Sequence, residues 1–364
     1  MICNKLSNRR VLEISKTLLL VGLILVSQEV IAQDKKSSIA AAKYKDIVVS
    51  LTKTHLPSVY QRVVNESYCG PDRYKSYVGR GKNLRYVPWN MEVNEKVVYK
   101  KMGTIIHESV HVFQSGPSRH TVYRDNNKDG EFLRFTGKVL ISDNWEINYE
   151  GRDVIRSYQM VPEILEENPN IADLFRFDTY IGGGENGNTA SNISGIYGLM
   201  EEFSAYYHGS NASFIIYNDL KKKNIMQYYD WDKDDGSTYD TLILENIKLT
   251  REQANYCMSS YTSYYEFSVF IGAYLKYVKK HHPTMYHEIL SNERFRTAFR
   301  VIDQNFSRLA IRMEKEFGDE YQAELSSWKI RTGVKNRELA KKILLDYTAI
   351  LDEFRSTNSL TTKK

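Results

Sequence analysis

Apolar residues recur at helical spacing between residues 98 and 113. Residues three or four apart share one face of a helix, so this spacing predicts a helix with one buried side. Asn94 is a suitable N-cap, and Gly116 and Pro117 end the pattern just after Gln114. The buried side would consist of Val98, Met102, Ile105, Ile106, Ser109 and Phe113.

The same periodicity predicts helices in much of the remaining chain. Residues 116–190 are an exception: their pattern is mixed, and no single secondary-structure element is predicted for them. A short apolar run at 84–87, stopped by Pro88, predicts one strand whose free edge could hold an extended peptide. The further predicted helices cover residues 37–66 with an interruption near Pro57, 194–209, 262–281 and 336–354.

The first 33 residues have the pattern of a secretory signal. Basic residues precede an apolar core at 17–26, which is shorter than the roughly 20 residues that span a bilayer. Val30-Ile31-Ala32 offers a small-residue cleavage site. We therefore expect a secreted or periplasmic protein with no stable membrane insertion after signal removal; an uncleaved anchor is the alternative.

Composition narrows the class of protein without identifying it. Of 364 residues, 42% are hydrophobic and 26% are charged, which is typical of a globular chain with a sizeable core. The formal net charge is only +5 and no basic run occurs, so we expect no nucleic-acid partner. Cys3 would leave with the signal, and Cys69 and Cys257 could either pair or remain two buried thiols.

The helix predicted around 98–113 contains the pattern His-Glu-x-x-His. His107 and His111 are four residues apart, so a helix directs both imidazoles to one side, where they can bind one zinc ion. Glu108 projects beside them and can take a proton from a zinc-bound water. A chance match is the alternative, and the apolar helical context argues against it.

A catalytic zinc usually takes three protein ligands and keeps one position for water. The extended form His-x-x-Gly-x-x-His is absent, because Gln114 and Pro117 occupy the positions of its glycine and last histidine. In an oxidising compartment without a suitable cysteine, the third ligand is expected to be a histidine, aspartate or glutamate from elsewhere in the chain.

Taken with the later segment MEEFSAYY at 200–207, the pattern resembles the gluzincin metallopeptidases. In that family the third ligand is a glutamate on a later helix, followed by aromatic and small residues. The resemblance covers about 25 residues in two segments. It implies a zinc peptidase acting on peptides or proteins, with His107, His111 and a downstream glutamate as ligands and Glu108 as general base.

Two glutamates fit the later segment. Reading Glu-x-Phe-Ser-Ala-Tyr selects Glu201, and reading Glu-Phe-Ser-Ala selects Glu202. We select Glu202, because small residues share its helix face and let a neighbouring helix approach closely. Glu201 would then orient a ligand imidazole. The small residues on that face are Gly195, Gly198, Ala205 and Gly209.

Two additional features extend the site prediction. Tyr197 and His208 lie about one turn before and two turns after the glutamates, so either could donate a hydrogen bond to the oxyanion. Residues 125–130 (DNNKDG) match the first half of a calcium loop, but Thr136 stands where the bidentate glutamate is required. Ca²⁺ is therefore a second candidate cofactor beside Zn²⁺, with a solvated turn as the alternative.

Together these elements predict a mainly helical α+β protein with a zincin-like fold, in which a small sheet lies over the HExxH helix and a helical C-terminal part closes the cleft. The expected function is amide hydrolysis by an exported zinc metallopeptidase. A non-catalytic binding protein on the same scaffold and a zinc amidase acting on cell-wall material are the alternatives. The expected domains are a signal at 1–33, a catalytic domain at 34–250, a helical part at 251–355 and a disordered tail at 356–364.

Overall fold

The computed structural model describes residues 42–69, 95–115, 121–124, 131–142, 145–153, 155–183, 190–230, 239–317 and 328–356. Four predictions lie outside these residues: the signal at 1–33, the strand at 84–87, the calcium candidate at 125–130 and the tail beyond Ser356.

Contacts between backbone positions divide the chain into two units. The first takes Met1–Ile47 and Gly70–Glu95, of which the structure describes a helical stretch at 42–47 and Glu95. The second takes Val48–Cys69 and Lys96–Lys364, and it holds the sheet and the candidate site.

The described residues are mainly helical, which confirms the coarse fold class. Pro57 separates the first two helices, as predicted, because proline lacks the N–H that would continue the first one. The helices are α1 (42–55), α2 (Ser58–Ser67), α3 (Glu95–Tyr99), α4 (Met102–Ser115), α5 (Val161–Glu167), α6 (Phe177–Tyr180), α7 (Ala190–Asp230), α8 (Tyr239–Ser260), α9 (Thr262–His281), α10 (Pro283–Ser291), α11 (Glu293–Glu316), α12 (Trp328–Leu344) and α13 (Thr348–Arg355).

A three-stranded antiparallel sheet lies within the segment that the periodicity left unassigned. Its strands, in spatial order, are β1 (Thr121–Arg124), β2 (Glu131–Ser142) and β3 (Trp145–Asp153). Val139 pairs with Ile147, and a register irregularity lies between Leu140 and Ser142. Because β2 packs against α4 and α7, this sheet borders the helix that carries the two histidines.

Helix α7 is longer than the predicted helix at 194–209 and changes direction at one residue. Gly195 has φ 52°, a conformation that glycine adopts without the clash a side chain would cause. The kink lies two turns before Glu202, so the part of α7 that carries Glu202 begins after it. From there α7 packs against α4, α8 and α9.

The centre of the core is α9, which is buried from Thr262 to Leu275. A helix that is buried on every side is expected to lack charged residues, and the buried part of α9 does so apart from Glu266. Lys279, Lys280 and His281 close its last turn, where positive charge is favoured by the helix dipole.

Several organisational predictions can be compared with these elements. The boundary expected at residue 250 falls inside the continuous helix α8. Cys69 and Cys257 are both buried, Cys257 is a free thiol, and the two do not pair with each other in the described part of the chain. No helix among the described residues combines the length and apolarity needed to cross a bilayer.

Candidate metal centre

The candidate site forms where α4 and α7 cross at very short range. A Cβ atom added to Gly209 of α7 would lie 2.7 Å from the carbonyl oxygen of Gly103 and 3.1 Å from the Cβ of His107. Real Cβ atoms do not approach a backbone oxygen that closely, so the contact requires glycine. Gly209, one of the small residues identified in the sequence, therefore lies at the helix crossing.

Three side chains converge from these two helices. The Nε2 atoms of His107 and His111 are 3.1 Å apart. Glu202 Oε2 lies 3.2 Å from Nε2 of His111 and 3.8 Å from Nε2 of His107. The three candidate ligand atoms, one from each residue, all lie within 4.8 Å of one another, and all three residues are buried. The structure thus brings together the three residues selected from the sequence.

The chemistry of this cluster fits a cation. Oε2 of Glu202 is buried and accepts no hydrogen bond within the described part of the chain. A buried polar atom without a hydrogen bond is costly, and a carboxylate oxygen more so. Two imidazole nitrogens and this oxygen face a common region, so one cation would satisfy all three atoms.

The His111 ring is held from its other side. Oε1 of Glu201 lies 2.9 Å from Nδ1 of His111. The backbone of Ala205 lies near the His107 ring and raises the pKa of that ring, against the larger effect of burial. Metal-binding histidines usually have such a partner at the second nitrogen, because it fixes the tautomer and the ring orientation. Glu202 therefore faces the two Nε2 atoms, whereas Glu201 faces the outer nitrogen of His111.

Burial and neighbouring charges shift the pKa values of the two histidines in opposite directions. Burial, followed by the charges of His111 and Arg176, lowers the pKa of His107 well below its usual range. Burial also lowers the pKa of His111, but the carboxylates of Glu202 and Glu201 outweigh burial and raise it overall. In the metal-free protein the two carboxylates thus favour the protonated form of His111, and a bound cation would compete with that proton.

Glu108 is the third member of the sequence motif. It follows His107 in α4 and is partly buried, so its carboxylate keeps access to solvent. A general base needs such access to exchange protons with water.

The two oxyanion donors suggested from the sequence are engaged elsewhere. His208 is buried, with Nε2 3.0 Å from the carbonyl oxygen of Leu140 and Nδ1 3.3 Å from the hydroxyl of Tyr60. Tyr197 packs between Tyr149 and Phe295, at centroid distances of 6.0 and 4.6 Å. Their helical spacing from Glu202 placed them on faces of α7 that pack against other elements.

Two tyrosines that the sequence analysis did not select lie beside the cluster. The ring of Tyr206 is 4.5 Å from the ring of His107, and its hydroxyl is 2.9 Å from the hydroxyl of Tyr180. Burial, followed by the charge of Glu202, raises the pKa of Tyr180. Tyr206 follows Glu202 by one helical turn, which could have revealed it, whereas Tyr180 lies in the unassigned segment and gave no signal.

Comparison of the chain with protein-family models, with curated proteins and with solved structures gives no match in any of the three.

Proposed function

We propose that this protein is an exported zinc-dependent hydrolase with a zincin-like catalytic arrangement, and that it cleaves amide bonds in peptides or proteins. The observation that carries the proposal is the buried cluster of His107, His111 and Glu202, in which Oε2 of Glu202 has no hydrogen bond among the described residues. The outer partner Glu201 supports it further, because it orients the His111 ring.

The donor set favours zinc over harder cations. Two imidazoles and one carboxylate form a common catalytic zinc set, whereas calcium and magnesium prefer oxygen ligands. When bound, zinc polarises a carbonyl and lowers the pKa of its water towards about 7. With His107, His111 and Glu202 as its three protein ligands, a zinc ion held here would keep one position for that water, as catalytic sites require.

The remaining chemistry belongs to side chains around the cluster. Glu108 accepts a proton from the attacking water and delivers it to the leaving amine, which is the role of a general base and then a general acid. The hydroxyls of Tyr206 and Tyr180 provide hydrogen-bond donors for the substrate oxygen as charge develops on it. Glu201 keeps the His111 ring in place during turnover.

The decisive experiment compares the metal content of three purified proteins. Wild type is expected to hold one zinc ion per chain, and Glu202→Ala is expected to lose it. Glu201→Ala is expected to keep zinc with an affinity lowered by roughly 10- to 100-fold, because it orients a ligand without binding the metal. Equal zinc content in wild type and Glu202→Ala would exclude the proposed metal site.

Activity is tested separately on fluorescent casein and on libraries of internally quenched peptides. Wild type should cut one or more of these substrates, and hydrolysis should stop when a chelator removes the metal. A protein that binds zinc tightly but cuts neither class of substrate would instead be a binding protein on this scaffold.

A further inference from the structure

Helix α6 is a single turn, and it ends at Tyr180, one of the two tyrosines beside the metal centre. We propose that the buried ion pair of Arg176 and Glu266 anchors this turn to α9 and thereby holds the Tyr180 hydroxyl within reach of the substrate. Both members of the pair are then positioning residues. The inference rests on the proposed hydrolase function and deepens it.

Helix α6 is too short to determine its own position. A four-residue helix has little stability of its own, because forming the first turn fixes several residues for a single hydrogen bond. Asp178 and Thr179 are exposed, so one side of the turn faces solvent. Phe177 and Ile181 are buried, but apolar packing is non-directional and does not by itself determine where a hydroxyl points. The position of Tyr180 therefore depends on directional contacts as well.

These directional contacts come from Arg176, which immediately precedes α6. Its carbonyl oxygen accepts the N–H of Tyr180 at 3.1 Å, the hydrogen bond that closes the turn. Its own backbone N–H donates to one carboxylate oxygen of Glu266 at 3.3 Å, and its guanidinium donates to the other oxygen. Arg176 thus connects the backbone of Tyr180 to a single carboxylate of α9 by two separate bonds.

The guanidinium of Arg176 is held in one orientation by further contacts. It donates to Oγ1 of Thr262 at 3.2 Å and to the carbonyl oxygen of Ser259 at 2.9 Å, where α8 ends and α9 begins. Its central carbon lies 4.7 Å from the centroid of the Tyr206 ring, and the face of an aromatic ring attracts a cation. The anchor therefore also packs against Tyr206, whose hydroxyl is 2.9 Å from that of Tyr180.

Stability alone is a poor reason for a charged pair at this place. Replacing a buried ion pair by apolar side chains of similar volume is often neutral or stabilising, because both charges lose their hydration on burial. Hydrogen bonds between charged groups add geometric specificity, which apolar packing lacks. The pair of Arg176 and Glu266 therefore suits a position where the exact placement of a neighbouring group matters.

Tyr180 is such a group. Its hydroxyl contacts that of Tyr206, and the Tyr206 ring lies 4.5 Å from the ring of His107. Burial, followed by the charge of Glu202, raises the pKa of Tyr180, so the phenol keeps the proton that it donates in a hydrogen bond. A donor of this kind acts on the substrate oxygen as charge develops, so moving it out of place lowers kcat more than it changes KM.

The test removes the anchor without leaving a buried charge alone. The double variant Arg176→Met/Glu266→Met exchanges the pair for apolar side chains, a change that buried pairs often tolerate. We expect it to fold, to bind zinc as wild type does, and to lose about 10²-fold in kcat, the cost of one transition-state donor, with KM within about threefold. Tyr180→Phe should cause the same loss, and combining the two changes should add little, because both remove the same interaction.

Hydrogen–deuterium exchange measures the anchor independently of activity. The amide of Tyr180 should exchange faster in the double variant than in wild type, whereas amides in the middle of α4 and α7 should be unaffected. The matched control is the pair of Asp303 and Arg355, in which buried Asp303 of α11 accepts bonds at 2.9 and 3.1 Å from Arg355 of α13. Asp303→Leu/Arg355→Met should leave kcat, KM and exchange at Tyr180 unchanged.

Several results would overturn the inference while leaving the hydrolase intact. These are an unchanged kcat in the folded double variant, losses that add fully to those of Tyr180→Phe, or an unchanged kcat in folded, zinc-loaded Tyr180→Phe. Should the double variant fail to fold, Thr262→Val deletes one acceptor of the guanidinium; faster exchange at Tyr180 with a lower kcat supports the anchor, and no change in either excludes it. A wild type that lacks zinc or cuts no substrate instead overturns the proposed function.

Discussion

At the scale of single residues, the carboxylates in and near the candidate centre occupy different positions. Glu202 faces the two Nε2 atoms, Glu201 faces the outer nitrogen of His111, and Glu108 belongs to the other helix and is partly buried. Glu202 and Glu201 can therefore be told apart by what each one contacts, and Glu108 by the helix that carries it, so each supports a separate experiment.

Glu108→Gln tests the base alone. The change keeps the size of the side chain and leaves all three proposed ligands in place, so zinc content should match wild type. Turnover should fall by about 10²- to 10⁴-fold, the range that general bases contribute. Parallel metal analysis and peptide hydrolysis measure both effects, and undiminished hydrolysis would exclude this role for Glu108.

Part of the residue-level site could be predicted because the motif residues are local in sequence. His107 and His111 share a helix face by spacing alone, and the small residues of α7 favoured Glu202. Tyr180 and Arg176 reach the site through the path of a loop and a four-residue helix. Spacing contains no information about such a path, so neither residue could be selected.

At the scale of elements, the crossing of α4 and α7 determines whether the ligands meet. Gly209→Ala would push its Cβ into the backbone of Gly103, and the two helices would have to move apart. We expect a loss of about 1–3 kcal/mol in unfolding free energy, the usual cost of overpacking. Zinc affinity should fall in the same variant, because Glu202 moves with α7.

The control for that variant is a glycine in the sheet. In Gly137→Ala, the new Cβ would meet the side chain of Tyr149 at 2.5 Å, so stability should also fall. Zinc affinity should not change, since neither residue belongs to the cluster. Denaturant unfolding and zinc titration separate the two outcomes, and equal zinc loss in both variants would show that the effect is merely global.

The elements themselves were predicted unevenly, for identifiable reasons. Helix α9 agrees with its prediction at both ends, because its apolar pattern is long and Pro283 follows it closely. The sheet was missed, although Trp145, Ile147 and Tyr149 alternate with polar residues as a strand requires. The helix predicted around residue 98 is two helices, α3 and α4, separated by a turn at 100–101.

At the scale of the whole molecule, burial of His208 links folding to pH. Burial lowers the pKa of His208 from 6.5 to about 4, so the unfolded chain takes up a proton at a pH where the native protein does not. The stabilisation is complete above pH 6.5 and is lost as pH falls towards 4. Between pH 7 and pH 5 the loss amounts to about 2 kcal/mol.

Urea unfolding at several pH values measures this linkage. His208→Gln should be less stable than wild type at pH 7 and should show a flatter dependence between pH 7 and pH 5. His287→Gln, which changes an exposed histidine, should follow wild type. An unchanged pH dependence in His208→Gln would exclude His208 as its source.

The two helices of the centre come from distant parts of the chain: His111 and Glu201 are separated by 90 positions, and all three strands lie between them. A cation held by His107, His111 and Glu202 would act as a reversible cross-link that closes this long loop, much as a disulfide does. At a free zinc concentration 100 times Kd, binding would add about 2.7 kcal/mol to stability. EDTA should therefore lower the melting temperature of wild type and leave that of Glu202→Ala unchanged. The supply of metal would then govern how long the folded protein persists, in addition to the rate of the proposed hydrolysis.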